Sequence, residues 1–115
     1  GTGRSKVSAI EAPIDFRSLS TSQTLVASDA DIMVASTAST AITLTIPSNA
    51  SVPYPIGTKI NFIQLGNGTV NIGINTDTLS VHANYVYSLN GLYSVATALK
   101  TGTTTWVLFG NLTGS

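Results

Sequence analysis

The chain is predicted to fold as an all-β antiparallel β-sandwich, jelly-roll-like or a small barrel, with an extended N-terminal arm. Three observations predict it. Apolar and polar residues alternate over short runs, the period of a half-buried strand. Gly, Asn and Pro break these runs at about the 8–12-residue spacing of sandwiches and barrels. No stretch repeats its apolar residues at helical spacing for long enough to require a helix.

Residues 1–21 read as the arm and residues 22–115 as the sandwich domain. The opening segment GTGRSKVSAIEAPIDFRSLS holds three of the five basic residues and two of the five acids, and its apolar residues are too scattered for a long element. Ile10, Ile14 and Phe16, with Arg17 beside them, are suited to docking on a neighbouring subunit, which would order the arm on assembly.

From Thr24 onward the pattern is β. Thr24–Ala27 and Ile32–Ala35 are short extended pieces. Ala41–Ile46 alternates cleanly, with Ile42, Leu44 and Ile46 inward and Thr43 and Thr45 outward, and stops at Pro47, which has no N–H to give to a ladder. The segment 48–57 is the longest connection, stiffened by Pro53 and Pro55. Lys59–Phe62 and Val70–Asn75 show the same period, and the intervening Leu65-Gly66-Asn67-Gly68-Thr69 tolerates positive φ, so a hairpin is expected there. Leu79–Val81 is a further strand. Asn90-Gly91 between Tyr85–Leu89 and Leu92–Leu99 predicts a second hairpin, and Thr101-Gly102 joins that strand to Thr103–Leu112.

That last run, TTTWVLFGNL, is apolar on both faces. Trp106 and Leu108 can face the core beside Ile42, Leu44, Ile60 and Phe62, which leaves Val107 and Phe109 on the other side. The preceding strand is also two-sided, with Tyr93, Val95 and Leu99 opposite Leu92, Ala96 and Ala98. Because monomers rarely expose large apolar patches, Tyr93, Val95, Val107 and Phe109 are candidate subunit-interface residues.

Composition narrows the chemistry. With 115 residues the chain is one domain in size. Charged residues are 9% of it, and Ser plus Thr number 31, so hydroxyls and amides carry solubility. A net charge of zero gives no general phosphate-binding surface, so nucleic acid is not expected as a partner. No apolar run has transmembrane length, and no membrane partner is expected. Without cysteine there is neither a disulfide nor a thiolate metal site. The single histidine, His82, points outward by alternation and cannot make a multi-histidine site within one chain. Asp29 and Asp31 read as a polar turn, and no pair of carboxylates is spaced for glycoside hydrolysis. No catalytic residue, metal ligand or cofactor is expected, and the chain is read as no enzyme. Tyr54, Tyr85 and Tyr87 are candidate glycan-contact residues, since amphipathic rings suit a sugar as well as a protein.

Taken in order, Thr24–Ala30, Ala41–Pro47, Tyr54–Ile60, Gln64–Ile72 and Thr104–Leu112 resemble a β-domain of tailed-bacteriophage virion proteins, over roughly residues 22–112. Members occur as modules of fibres and as small capsid decoration proteins, commonly trimeric. The resemblance implies a non-enzymatic structural protein of the virion. The first expectation is a homotrimeric capsid decoration or cement protein on the capsid surface, whose arm (Ile10, Ile14, Phe16, Arg17) contacts the major capsid protein or another virion protein. The alternative is a tail or head fibre module, a receptor-binding domain recognising host surface glycans. Deleting residues 1–20 is expected to weaken capsid attachment and leave the trimer intact.

Overall fold

The computed structural model describes residues 13–115. They form an all-β sandwich of two sheets built from eleven strands: β1 (Phe16–Leu19), β2 (Gln23–Thr24), β3 (Met33–Ser36), β4 (Ile42–Ile46), β5 (Lys59–Gln64), β6 (Val70–Ile74), β7 (Thr78–Val81), β8 (Tyr85–Leu89), β9 (Val95–Gly102), β10 (Thr105–Gly110) and β11 (Leu112–Gly114). One sheet runs β1-β3-β5-β9-β10-β7 and the other β11-β8-β6-β4-β2.

The expected antiparallel order holds only in part, because the sheets are mixed. β1, β3 and β5 are parallel neighbours in the first sheet, and β2, β4 and β6 in the second. The first six strands are thus three successive rungs of a flattened coil, each crossing from one sheet to the other and returning. Parallel order follows from that path, since every return restores the starting direction. Antiparallel pairing enters with β9, which joins β5 to β10, and with β8, which joins β6 to β11.

Both expected hairpins are therefore absent. Leu65–Thr69 and Asn90–Ser94 both carry the chain between sheets, since β5 and β9 lie in one sheet and β6 and β8 in the other. Backbone groups at these crossings bond to neighbouring crossings instead of closing a two-strand turn. Leu65 N–H donates to Ser36 O at 2.7 Å, Gly68 N–H to Ala38 O at 2.9 Å and Tyr93 N–H to Gln64 O at 2.7 Å. The β9–β10 hairpin around Thr101-Gly102 is present.

The core lies between the sheets. Ile42, Leu44 and Ile46 meet Val34, Ile60, Phe62, Ala96, Ala98, Trp106 and Leu108, all buried. Trp106 is the largest of them, and Tyr54 meets it edge-on at 5.6 Å between ring centroids. Lys100, on the inward side of β9, is 2% exposed. Its Nζ donates to Asn49 Oδ1 at 2.7 Å and to Tyr54 O at 2.8 Å, and lies 5.9 Å from the centre of the Trp106 ring. A buried ammonium needs such partners, and these hold the long 47–58 connection across the end of the core.

Part of the segment expected as an arm, residues 1–21, belongs to the sandwich. Phe16–Leu19 is an edge strand of the first sheet, and Leu19 is buried in the core. Deleting residues 1–20 would remove a strand and a core side chain together, so it cannot separate attachment from folding. Ile10 lies outside the described residues.

Candidate interaction surface

Strand register sets the outer face of the six-stranded sheet. One row across it reads Phe16, Met33, Asn61, Thr97, Phe109. A second reads Ser18, Ala35, Ile63, Val95, and a third Lys59, Leu99, Val107, Ser80. Phe16 is 57% exposed, Phe109 48%, Val95 40% and Val107 36%. Between Met33 and Phe109, Thr97 Oγ1 donates to Asn61 Oδ1 at 2.8 Å, so the polar atoms in the middle of the face are already paired. Lys59 is the one charged side chain in these three rows. Few charges, exposed aromatics and internally satisfied polar groups are the chemistry of an interface centre.

The outer face of the five-stranded sheet is different. Thr43, Asn71 and Ser88 form a row across it, flanked by Thr24, Thr45 and Gly73. Ser88 Oγ donates to Asn71 Oδ1 at 2.6 Å. This face is built of hydroxyls and amides that water can satisfy, so the contrast between the two outer surfaces singles out the first as the side needing cover.

The four residues expected at a subunit interface fall around that first face. Val95, Val107 and Phe109 project from it, as strand alternation requires. Tyr93 stands at its edge in the β8–β9 crossing, 70% exposed and in the left-handed region at φ 69°. Of the residues expected in a contacting arm, Ile14 and Phe16 are exposed, whereas Arg17 is engaged within the chain. Its Nη1 donates to Asp29 Oδ2 at 2.5 Å, and its Nη2 donates to Gln23 Oε1.

That pairing corrects the reading of Asp29 as part of a polar turn. The carboxylate is fully buried and also accepts Val26 N–H at 2.8 Å, closing a short 3-10 turn over Ala27–Asp29. Arg17, Gln23 and Asp29 fill the edge beside β1 and β2, the first rung of the coil, where no further strand among the described residues supplies partners. Asp31 is exposed, and its Oδ1 accepts Lys59 N–H at 3.1 Å.

The glycan-contact set does not come together. Tyr54 is buried, 5% exposed, and its hydroxyl donates to Val26 O at 2.6 Å, so it cannot meet a ligand; the large irregular connection carrying it folds inward on Lys100 and Trp106. Tyr85 and Tyr87 are partly exposed on β8. Tyr87 donates its hydroxyl to Leu79 O at 2.9 Å, and Tyr85 lies against His82 at 5.7 Å between ring centres. β6 and β8 pair only at Asn71 and Ser88. Beyond that point a cleft of about 230 Å³ opens, lined by Ile72, Gly73, Ile74, Leu79 and Tyr87. It is smaller than a usual small-molecule site of about 300–1,000 Å³ and offers few polar groups.

Burial gives Tyr54 a measurable signature. Its phenol is pushed from 10.0 up to about 12, chiefly by desolvation, with Asp29 adding to the rise and Arg17 opposing it. The folded chain therefore holds this proton through a range where the unfolded chain releases it. The associated stability is full below about pH 10 and lost as pH rises from about 10 to about 12, amounting to about 2–3 kcal/mol. Urea unfolding across that range is expected to show the loss in the parent and a correspondingly shallower fall in Tyr54→Phe. The variant is also expected to be about 1 kcal/mol less stable at neutral pH through the lost hydrogen bond.

Among the described residues no three His, Cys, Asp or Glu side chains are grouped to hold a metal ion, and no helix is long and apolar enough to cross a membrane. No protein-family model matches the chain, and no curated protein matches it significantly.

Proposed function

We propose that the chain is a non-enzymatic structural protein of a tailed-bacteriophage particle, a decoration or cement protein that reinforces the head through protein contacts. The observation that carries a contact role is the outer face of the six-stranded sheet, apolar and nearly free of charge while the opposite face is polar. Its natural cover is another copy of the chain. The threefold state and the virion setting rest on the resemblance of the strand and turn motifs over residues 22–112.

Each apolar side chain buried at such a contact contributes about 1.5–3 kcal/mol, and threefold repetition multiplies the sites. Sedimentation equilibrium over a wide concentration range is expected to give three times the mass of a single chain. A single-chain mass at every concentration would end the reading. Gold-labelled antibody against the chain is then expected to mark phage heads; labelling confined to tail tips would transfer it to a fibre.

The fibre alternative has one observation in its favour: Tyr85 and Tyr87 stand partly exposed on one strand, with the small cleft beside Tyr87. Without Tyr54, the surface retains two of its three expected aromatic contacts. Binding of the isolated chain to host glycans, lost in a Tyr85→Ala variant, would favour this alternative.

A further inference from the structure

The sequence contains two Asn-Gly pairs, Asn67-Gly68 and Asn90-Gly91, and the fold places them in different chemical situations. Asn-Gly is the pair at which a side-chain amide most readily reacts with the next backbone nitrogen, because glycine has no side chain to hinder the approach. Reaction requires that nitrogen to be free and the local backbone able to close a five-membered ring.

Gly68 meets neither condition. It is buried, and its N–H donates to Ala38 O at 2.9 Å. Its Cα is pressed so closely on the β3–β4 crossing that an added Cβ would sit 2.0 Å from Thr40 O. Gly91 differs on each count. It has a φ of +112°, nothing lies within 4 Å of where a Cβ would be, and its N–H has no hydrogen-bond acceptor among the described residues. Asn90 is exposed, and among the described residues its side chain is held by one long contact, Nδ2 to Asn111 Oδ1 at 3.2 Å.

We propose that Asn90 is a site of spontaneous deamidation and that Asn67 is protected by the fold. The Gly91 nitrogen, after losing its proton to hydroxide, attacks Asn90 Cγ. A C–N bond forms, the Cγ–Nδ2 bond breaks and ammonia leaves, giving a cyclic imide. Water then opens the ring at either carbonyl to yield aspartate or isoaspartate. The product replaces a donor with a carboxylate facing Asn111 Oδ1, at the corner where β10 passes into β11 and three residues from Tyr93. This modification is independent of what the chain assembles with.

The test is to hold the purified full chain at pH 8.5 and 37 °C for several days. Chymotryptic digestion then separates the two sites, and mass spectrometry reads the gain of about 1 Da that amide-to-acid conversion brings. Asn90 is expected to convert at least about tenfold faster than Asn67 in the folded chain, since Asn67 reacts only through local opening. In urea the two are expected to convert at similar rates. Equal rates in the folded chain, or an Asn90 that stays intact while the unfolded chain reacts, would overturn the proposal.

Discussion

Gly68→Ala is expected to lower the unfolding midpoint by about 12–20 °C, corresponding to a loss of about 3 kcal/mol or more. The reason lies in the crossings between sheets. Successive rungs stack so tightly at this end that the 65–69 crossing lies directly on the 37–41 crossing. A Cβ on Gly68 would be 2.0 Å from Thr40 O and 2.4 Å from its carbonyl carbon. Those are backbone atoms, so no side chain can swing aside; one crossing must lift from the other, breaking the Gly68 N–H bond to Ala38 O. Gly73→Ala is the control. Its added Cβ would meet Thr43 Cγ2 at 3.4 Å, a flexible side-chain methyl in an outward position, and the change in stability is expected to stay within about 0.5 kcal/mol. Thermal unfolding followed by circular dichroism checks both. Equal effects would mean that glycine loss in general, and not the close crossing, sets the cost.

The same crossings show where the sequence was readable and where it was not. Side-chain parity is a local property, so Ile42, Leu44 and Ile46 could be placed inward and Val107 and Phe109 opposite Trp106 and Leu108 from alternation alone. Strand partnership is not local. Asn-Gly tolerates a tight turn, but a turn becomes a hairpin only if its flanking strands find each other the best partners. Here β8 lies between β6 and β11 while β9 lies between β5 and β10. One signal could have revealed the coil. Ile42-Thr43-Leu44-Thr45-Ile46 and Val70-Asn71-Ile72-Gly73-Ile74 share an apolar pattern at a fixed offset, and they are the strands that pair in parallel, residue for residue. A constant offset between similar runs is what stacked rungs require.

Buried polar residues were the other blind spot. Asp29, Lys100 and Tyr54 look like surface residues by type, and what keeps them inside is a partner remote in sequence. Arg17 holds Asp29; Asn49 and Tyr54 O hold Lys100; Val26 O holds Tyr54. None of these pairings follows a period. The expectations of residues 13–21 as arm and of Tyr54 as a ligand contact both fail because Leu19 and Tyr54 are anchored in the core, which residue type and local pattern do not reveal.

Phe109→Glu is expected to reduce self-association by at least about a hundredfold while moving the unfolding midpoint of the monomer by no more than a few degrees. Phe109 is 48% exposed and points away from the core, so its removal opens no internal cavity. In an assembly covered on this face, burial of a phenyl ring contributes about 1.5–3 kcal/mol per site, and a carboxylate there would have to be desolvated without a partner. Lys59, the charged side chain in the neighbouring row, pairs across the sheet with Leu99, one row from Phe109, and so gives the new carboxylate no directly opposed cation. Thr43→Glu on the hydroxyl-rich opposite face is expected to leave association unchanged, because that surface is already hydrated. The pair of variants measured together by sedimentation distinguishes a directional interface from general loss of solubility. If Phe109→Glu associates as strongly as the parent, cover for this sheet does not come from another copy, and the face must instead serve a different partner.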